Sequence, residues 1–286
     1  MYLLDRWENG SLVVRSHRSG LNVRYLNVCY LIGVDRRCFA LLLAAAVLPS
    51  GALGAPDLPS GEEVLQRCIE RSGGAERLAS AKGVEMTGSV EMVGRNVSGS
   101  VLINQQGEKS YSAIEFPGIG KIEEGYDGLV AWESSAIQGT RIKDGDEKAA
   151  VERSSSFRVL THWKDYYSSI RTVGSEDVGG KPAWKVEMTP KQGKVETFYF
   201  DRDSALLVRM DQIVPSPLGE IPTEMDLTDY RAVEGVQTPF TMTQKVAGQT
   251  IAIRLDKVTY NANIASDRFD LPPAVKEVLN RKKPAQ

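Results

Sequence analysis

Apolar and polar residues alternate along most of this chain, and the places where the alternation gives way to a longer period mark its helices. Val84, Met86, Gly88, Val90 and Met92 share one face of an extended segment, with Glu85, Thr87, Ser89 and Glu91 on the other. Gly94-Arg95 turns the chain, Val97, Gly99, Val101 and Ile103 continue the apolar face, and Gln106-Gly107 turns it again. Residues 111–116, 119–126 and 129–134 complete a five-strand meander, apolar inward and polar outward. Further on, Trp184, Val186 and Met188 oppose Lys185, Glu187 and Thr189. Residues 195–201 lead into an Asp201-Arg202-Asp203-Ser204 turn, after which Leu206, Val208 and Met210 alternate with Leu207, Arg209 and Asp211. Residues 224–230, 240–246 and 251–260 are the last long strands, giving about eleven in all.

Three stretches depart from this period. Ser60 and Glu63 form a capping box ahead of Val64, Leu65, Cys68 and Ile69 at helical spacing, and Gly73-Gly74 stops that helix. Residues 75–81 make a further short turn or two with Leu78 inward. Between the two blocks of strands, residues 144–169 read as a helical insert, in which Phe157, Leu160, Trp163, Tyr166 and Tyr167 recur at helical spacing. Residues 276–286 read as a tail. The fold class is therefore mainly β (α+β), with short turns implying one continuous antiparallel sheet. So many strands curl. Their apolar faces can be buried in a sandwich, in a closed barrel, or in a curled half-barrel covered by the few helices. The helices could plug the inner side but hardly fill it, and a sheet wrapped round a partly empty apolar space is a binding geometry. The candidate cavity and lid residues are Val84, Met86, Val90, Met92, Val101, Ile103, Phe157, Leu160, Trp163, Trp184, Val186, Met188, Val208 and Met210.

Residues 1–54 read as lying outside this domain. Arg36 and Arg37 precede an apolar run over 39–48, and Ala52-Leu53-Gly54 has small residues where a signal peptidase reads. The run is about half of what a membrane span needs. This predicts a signal peptide over 34–54, an upstream extension over 1–33 placed before the true start, a domain beginning at Ala55 and a periplasmic location. Residues 1–55 hold six Arg and three carboxylates, so the remainder carries a net charge of −5 against −2 for the whole chain. That acidity excludes a nucleic-acid binder held by bulk electrostatics. Cys68 is the single Cys beyond the leader, which rules out an internal disulfide, and its apolar helical spacing reads as core.

Catalytic constellations are absent from the sequence. There is no G-x-S-x-G, no H-E-x-x-H and no phosphate-binding Gly loop after a strand. His162 is the single His after the leader and has no nucleophile signature beside it. No metal, cofactor or catalytic residue is expected; a hydrolase is the weakest of the alternatives.

Three sets of residues carry a resemblance. The first is Tyr126-Asp127-Gly128-Leu129-Val130-Ala131-Trp132. The second is Gly180-Lys181-Pro182-Ala183-Trp184-Lys185-Val186 running to Phe198-Tyr199-Phe200-Asp201. The third joins Tyr230-Arg231, Gly235-Val236, Pro239-Phe240, Val258, Asn261 and Phe269-Asp270-Leu271-Pro272. In this order they resemble the LolA/LolB-like family of periplasmic lipoprotein carriers, in its diverged lipoprotein-sorting branch. The resemblance implies an eleven-stranded half-barrel, helices as a lid, and a cavity for lipid or lipoprotein acyl chains in outer-membrane biogenesis, with peripheral membrane contact. Related half-barrels serve as regulators, so an envelope sensor or interaction module that binds a protein partner is the alternative. The stretch 115–120 has no Arg, where the carriers have one tied to lid closure.

Overall fold

A computed structural model describes residues 3–8, 11–15, 58–156, 158–217 and 219–282. The chain divides into two units, Met1–Gly54 and Ala55–Gln286. In the first, β1 (Leu3–Glu8) and β2 (Ser11–Arg15) form an antiparallel hairpin. The expected signal segment and cleavage site lie outside the described residues, as does Phe157.

The second unit opens with α1 (Gly61–Arg71) and α2 (Ala75–Ser80). The capping box is formed: Glu63 N–H donates to the Ser60 hydroxyl at 3.2 Å and Ser60 N–H donates to the Glu63 carboxylate at 2.8 Å. These bonds hold the exposed Glu63 carboxyl below its ordinary range. Then come β3 (Gly83–Met92), β4 (Val97–Gln106), β5 (Lys109–Phe116), β6 (Gly120–Tyr126), β7 (Ala131–Ser135) and β8 (Gly139–Lys143). Two helices follow, α3 (Gly145–Ser155) and the single turn α4 (Trp163–Tyr166). The remaining strands are β9 (Tyr167–Val178), β10 (Lys181–Pro190), β11 (Glu196–Asp201), β12 (Leu207–Ser216), β13 (Gly219–Val233), β14 (Val236–Val246) and β15 (Gln249–Tyr260), before α5 (Pro273–Lys282).

All thirteen strands β3–β15 form one antiparallel sheet in the order β8-β7-β6-β5-β4-β3-β15-β14-β13-β12-β11-β10-β9, which does not close. Each neighbouring pair is joined by a hairpin, except β3 with β15, the first and last strands of the domain. The curl follows from helix α3. It packs against β6 and β7 at one end of the sheet and against β12 toward the other. Laid flat, β7 and β12 would be about 38 Å apart at strand spacing, whereas an eleven-residue helix is about 16 Å long. Only a sheet wrapped round α3 lets one helix touch both, so α3 lies on the concave side.

Three sequence expectations are corrected. The sheet has thirteen strands because β8 and β9 join the eleven that the pattern marks. Both are terminal strands of the sheet, and their sequences, GTRIK and YSSIRTVGSEDV, give few apolar side chains to a cluster, Ile142 from β8 and Tyr167 and Ile170 from β9, too few to show as an alternation. Tyr167, expected in the helical insert, opens β9 instead, where it is buried. Residues 276–282, expected as tail, belong to α5. Val275 is fully buried there and packs with Leu271, Leu279 and Phe269 against Tyr111, Ala113, Trp132, Leu102 and Ile142. By register those five strand residues share the convex face, so at this end the outer side of the sheet carries an apolar cluster. Gly125 makes that packing possible: a Cβ there would meet the Trp132 indole at 2.6 Å.

Candidate functional site: the concave face

On the concave side, register places Trp184, Val186 and Met188 of β10 level with Phe200, Phe198 and Glu196 of β11, then Met210 of β12 and Met225 of β13. The same face continues through Met242 and Gln244 of β14, Ile251 and Ile253 of β15, Val90, Met92 and Met86 of β3, and Val97, Val101 and Ile103 of β4. Lys185, Glu187, Glu85 and Glu91 face the other way, as alternation requires. Three of the four have exposed ion-pair partners: Lys185 with Glu176, Glu187 with Arg171 and Glu91 with Arg254, each at 2.9 Å.

The helices cover this face unevenly. α1 inserts Val64, Leu65, Cys68 and Ile69 against Val186, Met188, Phe198, Phe200 and Tyr167, with Trp184, Met210, Leu160 and Trp163 at the margin. Gly61 lets α1 sit close, since a Cβ there would come within 2.7 Å of Ile170. Burial raises the Cys68 thiol above its ordinary range and the side chain is enclosed, a core residue as its spacing implies. A second cluster joins Val84 with Phe240, Leu255 and Val258, and Met86 and Met242 pack against it. Between the two, Met92, Ile103, Ile114, Met225 and Ile251 are only half-buried, as is Ile253, which packs against the second cluster. Along this stretch of inner wall, running from β13 to β5, Val90 and Val101 are buried while the residues around them are only partly covered.

The expected site residues thus fall into three groups: Trp184, Val186, Met188, Met210, Leu160 and Trp163 under α1, Val84 and Met86 in the second cluster, and Val90, Met92, Val101 and Ile103 on the wall between. Val208 departs from this arrangement. The register shifts between Tyr199 and Phe200, pairing Tyr199 with Arg209 but Phe200 with Leu207. Val208 is the extra residue of that bulge, and Leu207 takes the inner position. A single-sequence alternation has no means of registering such an insertion.

Polar groups missed by the sequence reading tie α3 across the concavity. Arg153, mostly buried, donates to Glu196 of β11 at 2.6 Å and to the Gln192 carbonyl at 2.9 Å. Tyr167 donates to the other Glu196 oxygen at 2.6 Å. Burial, reinforced by the Glu196 charge, pushes the Tyr167 phenol well above its ordinary range. On the opposite flank, Tyr126 donates to Glu152 at 3.0 Å, Gln105 donates to the Ser154 carbonyl at 2.8 Å, and Ser110 and Ser155 hydroxyls meet at 2.6 Å. Nearby, the inner face of β6–β8 carries charge: Arg141 bonds Glu133 at 2.5 Å and Glu147 of α3 at 2.6 Å, and Lys143 bonds Glu124 and Glu133. Burial opposes ionisation of Glu133, but its bonds to Arg141 and Lys143 outweigh that and hold the carboxyl below its ordinary range. The concavity is thus apolar along most of its length and charged at one end.

His162 makes its contact with the neighbouring Thr161 hydroxyl, at 3.0 Å. Among the described residues no three His, Cys, Asp or Glu side chains converge as a metal site would need.

An open antiparallel sheet curled round a bridging helix, with an apolar inner wall, defines the half-barrel class. No protein-family model matches the sequence, and no curated protein matches it. Solved structures do. A domain described as outer membrane lipoprotein-sorting, from Vibrio parahaemolyticus, superposes with a TM-score of 0.50 at 14% identity, over 77% of this chain and 98% of that one. A DUF1329 family protein from Desulfovibrio piger matches at 0.49 and 18% identity, over 73% and 97%. A LolA superfamily protein from Nitrosomonas europaea matches at 0.48 and 10%, over 74% and 98%. The chain has a diverged LolA-like fold.

Proposed function

We propose that this protein is a non-catalytic envelope carrier that binds the acyl chains of a lipid or lipoprotein along the half-covered inner wall, after export to the periplasm. The observation that carries this reading is the wall itself: Met92, Ile103, Met225, Ile251 and Ile253 lie on the concave side, yet none is fully buried. Each methylene removed from water contributes about 0.8 kcal/mol, so an acyl chain laid on this surface gains what the protein's own side chains leave unused. Methionine adapts to irregular chains. The charged end at Arg141, Lys143, Glu133 and Glu147 suits the polar part of an amphiphile. The sorting role of the Vibrio domain, in its description, is consistent with this use of the fold.

Native mass spectrometry of protein taken from its own envelope should show a lipid mass, and a fluorescent fatty acid should bind the emptied protein. Met225→Glu, which puts a charge on the wall, should weaken that binding about tenfold or more. No binding across fatty acids, phospholipids and lipopeptides would sink the reading. A second reading then stands on the open sheet. β9 is a twelve-residue terminal strand with one unpaired edge, the geometry for strand addition by a protein partner.

A further inference from the structure

The thirteen-stranded hairpin order gives the sheet two rims with different chemistry. One rim carries the turns 93–96, 117–119, 136–138, 191–195 and 247–248 and the connection from β12 to β13; the opposite rim carries 107–108, 127–130, 179–180, 202–206 and 234–235. Among the described residues, eight large apolar side chains are exposed, and six of them lie on or beside the first rim. Val93, Ile119, Ile137 and Val195 are in the turns; Ile122 and Val214 are within three residues of one. Ile137 is 82% exposed, at the tip of its hairpin. Ile119, Ile122 and Ile137 also line a shallow hollow of about 240 Å³ between adjacent hairpins, with Phe116 at its base.

The turn residues themselves also differ in charge. The turns of the first rim hold Arg95, Lys191 and Lys194 and no carboxylate, in a chain whose net charge is −2. Four acids stand close by: Glu220 pairs with Lys194 at 3.0 Å, Asp146 accepts from Gln192 at 3.1 Å, Glu91 pairs with Arg254 at 2.9 Å, and the exposed Glu115 lies two residues before the 117–119 turn. Arg95 and Lys191, both exposed, supply the remaining positive charge. The turns of the opposite rim hold Glu108, Asp127, Asp203, Glu234 and Arg202, and Arg71 and Arg77 donate to the Ser204 and Glu234 carbonyls there while Arg158 pairs with Glu108 at 3.5 Å.

We propose that the first rim docks on the surface of an anionic lipid bilayer, with Ile119 and Ile137 as the residues that enter it. Isolated aliphatic tips spread along a rim, on short turns that hold Arg95, Lys191 and Lys194, fit a soft apolar layer beneath an anionic headgroup plane. A folded protein partner would instead call for a contiguous, shape-matched patch with a packed centre. Among the described residues the turns of the opposite rim carry one exposed large apolar side chain, Leu129, so docking through aliphatic tips sets one orientation of the half-barrel. This inference rests on the rim alone and holds whether or not the inner wall takes acyl chains.

The test uses the protein as cells process it, with its N-terminus sequenced so that the apolar run at 39–48 does not contribute unnoticed. Co-sedimentation with phosphatidylglycerol–phosphatidylethanolamine vesicles should exceed that with phosphatidylcholine vesicles and fall with added salt. Replacing both Ile119 and Ile137 by Asp should reduce binding about tenfold or more, while Leu129→Asp, on the opposite rim and 77% exposed, should not change it. Both changes are at exposed positions, and circular dichroism confirms folding. Independently, Ile137→Trp should show a blue-shifted emission quenched by brominated lipid. Wild-type protein that stays in the supernatant with every vesicle overturns the proposal. So does equal loss in the Leu129 variant, an unquenched tryptophan, or capture of a protein partner by this rim while vesicles are ignored.

Discussion

At the scale of single residues, Arg153 and Glu196 have the most at stake. Both are about nine-tenths buried, and each leaves the other an uncompensated buried charge if removed. Arg153→Ala should therefore cost about 3–5 kcal/mol of stability, read from the urea midpoint. Replacing both by apolar residues should recover much of that loss, because the pair's desolvation cost disappears with its attraction. A pH effect belongs to the same place. Tyr167, Tyr126 and Tyr230 are all pushed upward, in each case chiefly by burial, with Glu196 adding to the first and Glu152 to the second. A phenol that resists ionisation in the folded state while ionising near its ordinary value in the unfolded chain stabilises fully below about pH 10. That stability is lost as the pH rises further. The urea midpoint should fall steeply above about pH 10, and phenolate absorbance should rise together with unfolding rather than before it. Tyr167→Phe should flatten the alkaline slope.

At the scale of elements, close strand pairing and helix docking make separate demands. Gly88 of β3 faces the backbone of β15 so closely that a Cβ would collide with the Arg254 carbonyl. Gly88→Ala should thus destabilise by about 1–3 kcal/mol, the range for forcing extra volume into a packed site, and differential scanning calorimetry would register it. The turn α4 and the segment before it hold to α1 through Leu160, Val159 and Trp163, which pack at the margin of the α1 cluster. Leu160→Asp should loosen this segment, weaken binding of a fluorescent fatty acid, and leave far-UV circular dichroism nearly unchanged, because no strand depends on it. Unaltered affinity in the folded variant would detach the segment from the binding site.

At the scale of the whole molecule, an open half-barrel leaves inner surface for something else to cover, and ligand binding then couples to stability. A ligand that binds only the folded state at one hundred times its Kd adds about 2.7 kcal/mol. Saturating oleate or a palmitoylated peptide should therefore raise the melting temperature measurably, and Met225→Glu should abolish the rise. An equal rise in wild type and variant would place the ligand elsewhere.

Much of this architecture is local in origin and so can be read from the chain. The capping box at Ser60 and Glu63, the α1 stripe and the alternation of β3, β4 and β10 depend on neighbours a few residues away, and all appear where their periods put them. The inward assignment of Val186, Met188, Val84 and Val90 follows from that alternation alone. What the chain could not disclose depends on contacts distant in sequence. β8 and β9 carry too few alternating apolar residues to announce them, and their pairing with β7 and β10 is what makes them strands. Val208 lost its inner place to Leu207 through a bulge that only the pairing with β11 reveals. α5 has weak signals of its own and forms against an outer face that is apolar only where β4–β8 come together. The Arg153–Glu196–Tyr167 cluster joins residues from three separate elements, and the apolar rim gathers turns far apart in sequence. Hydrophobic period is a property of a segment and is written in its residues. Curl, register and the meeting of distant side chains are properties of the closed set of pairings, and only the tertiary structure decides them.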